Sequence, residues 1–331
     1  DTYTGGAGRD IVTLGTGDDT VDTGAGTDFI RMSDYDDDDV VNGGAGSDTL
    51  SVGAIVASTT AAPLQIQAEA NFIDVTPGTS GTSTPQFTEV ETVYMQAILA
   101  TDNVEGTADT NETIDFSASS GITNLYLEID DDDLLDDDAL NNQGVLTLSE
   151  IDAAAIHLVD RGTDDSLGEL VVIGNGQASL TVKGYNFDGS TDLTVSDVDA
   201  LTITAYQTSA TVTVGDTEFG DIEADDTDTV TVTAASQAAA LAGQSLTLDS
   251  LSADAATAVA FNAGSNITLD IGTVTSSSDS LDTIAVTVSD DGDCRCGSGL
   301  YLRQNQHLTR QLIGIFSTNC LARGYHHLCD D

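Results

Sequence analysis

Residues 4–31 read TGGAGRDIVTLGTGDDTVDTGAGTDFIR, and their beat decides the fold. Asp10, Asp19 and Asp28 stand nine residues apart. Each is followed two positions later by an apolar residue: Val12, Val21 and Ile30. Each is preceded by glycines: Gly5, Gly6 and Gly8, then Gly15 and Gly17, then Gly24 and Gly26. The count also runs backwards, with Asp1 nine residues before Asp10 and Tyr3 in the apolar place, so the array is expected to continue upstream. Forward, the beat slips once. Asp39 with Val41 comes eleven residues after Asp28, in the glycine-free stretch SDYDDDDVV. It recovers at GGAGSDTLS, with Gly43, Gly44, Gly46, Asp48 and Leu50. Glycine and aspartate are poor strand formers, so their regular return needs a cause other than strand propensity.

The pattern G-G-x-G-x-D-x-U-x, with U a large apolar residue, is that of a calcium-binding β-helix repeat. Glycine permits φ > 0 and close approach of backbone carbonyls. A tight turn built from it can aim carbonyls and one Asp carboxylate at a common point. Calcium takes six to eight oxygens at about 2.3–2.6 Å and accepts mixed carbonyl and carboxylate shells. One short turn cannot supply that many, so two stacked turns would share each ion. The U residue would point inward from a very short strand and build a thin core. Folding is then coupled to the metal, because an unneutralised aspartate ladder repels itself.

GGAGRDIVT, LGTGDDTVD, TGAGTDFIR and GGAGSDTLS resemble the repeats-in-toxin (RTX) family across residues 1–51. The resemblance implies an N-terminal parallel β-roll in which turn n pairs with turn n+2. Gly5–Asp10 would pair with Gly24–Asp28, and Gly24–Asp28 again with Gly43–Asp48. Gly15–Asp19 would face the Ser33–Asp39 turn, which has lost its glycines. The implied calcium ligands are Gly5, Gly6, Gly8, Asp10, Gly15, Gly17, Asp19, Gly24, Gly26, Asp28, Asp39, Gly43, Gly44, Gly46 and Asp48.

A second resemblance concerns order along the chain. GGAGSDTLS, an insertion, FTEVETVYM and then Thr/Ala/Val-rich strands are arranged as in RTX-type bacterial surface-layer proteins and large RTX adhesins. Phe87, Glu91, Thr92 and Val93 would occupy the Phe-Glu-Thr-like strand that follows the repeats there. This implies type I export, an extracellular or bacterial cell-surface location, and folding driven by external calcium. Three readings follow, in order of preference: a surface-array (S-layer) component that self-assembles, an adhesin segment that binds a cell-surface polysaccharide or host surface, and the export region of an RTX hydrolase or toxin. Calcium is the cofactor in all three.

Composition narrows the partners. The chain of 331 residues has 56 acidic against 8 basic residues and a net charge of -48. Nucleic acid is excluded as a partner, because affinity there comes from Lys and Arg neutralising phosphates. No apolar run approaches the length of a transmembrane helix, about 18 residues or more. Residues 1–290 hold no Cys and only Arg9, Arg31, Arg161 and Lys183 as basic residues. Residues 291–331 hold Cys294, Cys296, Cys320 and Cys329 and three of the four His. This tail reads as an out-of-frame or mis-joined terminus. A metal or disulfide knot with His326, His327 and Cys329 is the alternative.

Between these ends, residues 52–86 are rich in Ala, Thr, Ser and Pro and read as a connector. Residues 87–290 carry recurrent short strand signals: FTEVETVYM, NLYLEI, VLTLS, AIHLV, ELVVI, SLTVKGY, DLTVSDV, ALTITAY, ATVTVGD, TVTVTA, SLTLDS, NITLDI and TIAVTVS. They alternate apolar with polar residues, which is the period of half-buried strands. Only Leu148–Ala155 and Ala234–Leu241 suggest helix. The expected fold is all-β: the roll followed by an irregular parallel β-helix or solenoid, with an antiparallel β-sandwich as the alternative. Asp130–Asp133 with Asp136–Asp138, and Asp225, Asp226 and Asp228, could take further cations but lack the loop grammar of an EF-hand. They read as solvated loops. His157 occupies an alternating strand position and reads as a packed residue rather than a general base. No nucleophile elbow or metalloprotease motif is present, and the chain is expected not to be an enzyme.

Overall fold

Period-2 alternation sends one row of side chains inward from each short strand. In the computed structural model these rows stack into one column. Val12, Ile30, Leu50, Val93, Leu125, Ile156, Val182, Ile203, Val232, Phe261 and Val286 are successive register partners. All but Val286 are buried. The structure describes residues 1–32, 38–52, 81–99, 112–131, 145–160, 169–185, 191–205, 217–235, 244–276, 281, 283–288, 293–296 and 313–315.

The column belongs to a sheet of twelve strands. It begins with Ile11–Leu14, Phe29–Met32 and Thr49–Val52, continues through Thr92–Leu99, Asn124–Asp131 and Ala155–Asp160, and ends at Ile313–Ile315. A second, five-stranded sheet holds Thr2–Ala7, Thr20–Gly26, Val40–Asn42 and Gln86–Thr88 in that order, with Ala45–Gly46 beside Thr20–Gly26. A third sheet of nine strands runs from Gly81–Ser83 and Glu112–Asp115 to Asp293–Cys296. The chain passes from one sheet to another and returns one coil turn later beside its earlier strand. Every pairing among the described strands is parallel. Parallel pairing needs a crossover at every step, and a coil supplies it. The fold is therefore the roll followed by a parallel solenoid, and the antiparallel sandwich is set aside.

The helix expected over Leu148–Ala155 is corrected. Leu148–Ile151 lies in the strand Val145–Ile151, because Leu146, Leu148 and Ile151 are buried against the strands on either side, and this packing overrides the weak helical propensity of LSEIDAAA. Ala234 ends the strand Thr229–Ala234, while residues 236–241 of the other window lie outside the described residues. FTEVETVYM reads as one strand but forms two. The chain turns at Glu89, whose φ is 50°, so Gln86–Thr88 joins the five-stranded sheet and Thr92–Leu99 the twelve-stranded one. Gly81–Ser83, inside the stretch expected to be a connector, pairs with Glu112–Asp115. ATVTVGD (210–216), and the tail other than 293–296 and 313–315, also lie outside the described residues. Asp293–Cys296 pairs with the strand Ile267–Thr275, Leu269 opposite Cys294 and Ile271 opposite Cys296. The candidate knot of the tail, His326, His327 and Cys329, falls among the residues not described.

Candidate calcium-binding edge

The glycine turns stack where the first two strands of the five-stranded sheet end. Gly6 is the register partner of Gly24, and Ala7 of Ala25; Ala25 pairs in turn with Ala45, and Gly26 with Gly46. Two positions show why glycine is required. Gly24 and Gly44 have φ of +91° and +84°. A Cβ on Gly24 would collide with the Gly6 carbonyl oxygen, and one on Gly44 with the Gly24 carbonyl oxygen. Side-chain-free turns thus let successive backbone carbonyls close on one another.

Beside this stack runs a ladder of carboxylates. The Asp10 N–H donates to Asp28 Oδ1 at 2.7 Å, and the Asp28 N–H donates to Asp48 Oδ1 at 2.8 Å. The opposite edge repeats the contact, with the Asp19 N–H donating to Asp39 Oδ1 at 2.7 Å. Asp19, Asp28, Asp39 and Asp48 are at most 2 % exposed. Buried carboxylates need partners, yet Asp28 Oδ2, Asp48 Oδ2 and Asp19 Oδ2 have no hydrogen bond. Burial, reinforced by the charges of Asp28, Glu91 and Glu89, raises the Asp48 pKa, although the Asp28 N–H opposes the shift.

Orphaned, desolvated oxygens beside close-packed carbonyls are the donor set of a hard divalent cation. Among the described residues no three His, Cys, Asp or Glu side chains converge as a ligand group. A cation here would be held mainly by backbone oxygens, with single aspartates from successive turns. The first edge brings together Gly5, Gly6, Gly8, Asp10, Gly24, Gly26, Asp28, Gly43, Gly44, Gly46 and Asp48. Gly15 and Gly17 lie on the second edge, where Gly17 has φ of +100°. Of the turn expected to face them, Asp39 is in place and residues 33–37 lie outside the described residues.

The other candidates behave differently. Asp225 Oδ1 accepts from the Ser252 hydroxyl at 2.7 Å and the Asp254 N–H at 3.3 Å, which is loop chemistry at an exposed position. Of the other acidic run, Asp130 and Asp131 close the strand Asn124–Asp131, and the rest lies outside the described residues. His157 is buried and stacks on Tyr126, ring centroids 4.0 Å apart, with Tyr94 stacked beyond at 4.5 Å. It is a packed residue. Glu91 was expected only as part of a strand. It stands instead on the ladder, its Oε2 accepting the Asp48 N–H at 2.6 Å. The local signal was the echo of Asp48-Thr49-Leu50 in Glu91-Thr92-Val93.

No curated protein and no solved structure matches the chain. A family model does, over residues 1–30 and 32–54: that segment carries four copies of the RTX calcium-binding nonapeptide repeat, and calcium is the ion this repeat family binds.

Proposed function

We propose that the chain is a structural component of a bacterial surface array, secreted unfolded and folded by external calcium through the residues of the two turn edges. Proteins with these repeats are typically secreted, and the repeats themselves are typically structural or export-related segments. Among the described residues, no helix is long and apolar enough to cross a membrane. The observation that carries the reading is continuity. The column that starts at Val12 in the repeats passes without a break into the body through Leu50 and Val93. Twelve strands at roughly 4.8 Å spacing make a rod of about 50 Å, and ion binding at one end would set its register.

The test is a calcium titration of the full chain, followed by far-UV circular dichroism and light scattering. β-structure and large assemblies appearing together at about millimolar calcium support the array. A chain that folds but stays monomeric supports instead an adhesin segment or the export region of a larger RTX protein. A chain whose fold ignores calcium refutes the reading at its root.

A further inference from the structure

We propose that Glu91 and the Glu89 carbonyl complete an additional calcium site with Asp48, at the seam where the repeats meet the body. This rests on the calcium reading of the repeats and extends it past the last nonapeptide.

Register places the two residues. Asn42 pairs with Thr88, so Glu89 stands where Gly43 stands one turn earlier. Thr49 pairs with Thr92, so Glu91 stands opposite Asp48. The fourth rung of the edge is thus the short Glu89-Val90-Glu91 turn in place of Gly43–Asp48. One hydrogen bond and one close backbone approach make it equivalent in chemistry. The Glu91 carboxylate accepts the Asp48 N–H, as Asp48 accepts that of Asp28 and Asp28 that of Asp10. A Cβ on Gly43 would collide with the Glu89 carbonyl oxygen and lie 3.0 Å from Asp48 Oδ2. The same cradle occurs at the first rung, where a Cβ on Gly5 would collide with the Thr23 carbonyl oxygen and lie 2.5 Å from Asp10 Oδ2.

A separate observation points to a ligand. Asp48 is 0 % exposed, and its Oδ2 has no hydrogen-bond partner. A buried anionic oxygen facing a carbonyl oxygen, with a second carboxylate next to it, is an unfavourable arrangement unless a cation joins them. The ladder stops here. On the next rung the N–H groups of Thr123 and Asn124 bond to the Glu91 carbonyl, at 2.8 and 2.9 Å, and no carboxylate follows. The seam ion is therefore the last of its row, and it ties the strand after Glu91, Thr92–Leu99, to the repeats.

Equilibrium dialysis of the full chain against radioactive calcium tests this. Glu91→Gln should lower the ions bound at saturation by about one per chain, or weaken one by about tenfold, with the remaining ions unchanged. Glu223→Gln, at an exposed position in the body strand Thr217–Glu223, should leave the binding curve unchanged. If Glu91→Gln fails to fold, Glu91→Asp decides: it keeps the charge but shortens the reach, and should weaken one ion while the fold persists. Unchanged stoichiometry and affinity in whichever Glu91 variant folds overturns the seam site. A wild-type chain that binds no calcium overturns instead the underlying reading of the repeats.

Discussion

Asp28 sits in the middle of the carboxylate ladder, so replacing it with Asn should change the sign of its effect with calcium. In the ion-free chain Asp28 has a carboxylate neighbour on each side, Asp10 and Asp48. Rungs of a sheet are about 4.8 Å apart, and two unit charges at that distance repel by about 3.5 kcal/mol at an effective dielectric of 20. Two neighbours make about 7 kcal/mol. Against this, Asp28 Oδ1 accepts one charge-assisted bond from the Asp10 N–H. Asn keeps an acceptor there, so the change from a charged to a neutral partner costs about 1 kcal/mol. Asp28→Asn should therefore stabilise the chain in chelator by several kcal/mol. With calcium the balance reverses, because two shared ions each lose a charged ligand. A tenfold loss at each, about 1.4 kcal/mol apiece, gives roughly 3 kcal/mol of destabilisation at excess ion. Far-UV circular dichroism in chelator, where Asp28→Asn should hold more β-structure than wild type, and the urea midpoint at about 10 mM calcium, well above typical extracellular dissociation constants, read the two signs. A variant that gains, or loses, β-structure and stability together under both conditions refutes the argument that these carboxylates form a cation-neutralised ladder.

Three further outcomes are expected. Gly44→Ala should abolish calcium-dependent folding of the repeats, because φ of +84° and the Gly24 carbonyl both exclude a Cβ; a calcium-dependent dichroism signal equal to wild type would contradict this. Leu125→Ala, at a fully buried position of the continuous column, should cost about 2–5 kcal/mol in a urea melt, and an effect under 1 kcal/mol would mean that the column is not a packed core. His157 is pushed down to about 4, first by burial and then by the Lys183 charge. Its folded pKa lies below the unfolded value near 6.5, so the unfolded chain binds more protons between pH 4 and 6.5. This contribution, at most about 3 kcal/mol, is complete above pH 6.5 and lost as pH falls to 4. His157→Phe should remove it, read as the difference between the two chains' stabilities at pH 7 and pH 5; equal pH dependence in both would refute it.

The strands and their inward rows were legible because strand periodicity is local. Val12, Val21, Ile30 and Leu50 announce the core by position alone, and all are buried. The ladder partners Asp10, Asp28 and Asp48 were legible because two nonapeptides make one coil turn, so the partners lie 18 and 20 residues apart. Glu91 escaped because 43 residues separate it from Asp48, its turn has no glycine, and its side chain is one methylene longer. The bend at Glu89 escaped for a related reason. Nothing in FTEVETVYM marks a residue with positive φ, and only the need to serve two sheets places it there. The turns of the body are longer, with the bonded Asp192 and Asp221 standing 29 positions apart. No motif within them records a period.

That difference in legibility carries a mechanical consequence. In the body, register is set by apolar rows and threonine rows that look alike from turn to turn: Thr181 pairs with Thr202, and Thr202 with Thr231. A slip by one residue would bury the threonines and expose the column, but a slip by two would cost far less, because the rows repeat. The repeats have no such ambiguity. A glycine must face a carbonyl, and a carboxylate must face the next N–H, at one register only. Because Thr49–Val52 and Thr92–Leu99 lie side by side in one sheet, the register fixed at Asp48 and Glu91 passes directly to the first strand of the body. Each later strand is then added to an edge whose register is already defined. The aspartates that make the ion-free chain repel itself thus place, once neutralised, the one unambiguous register mark at the start of a coil that otherwise has few.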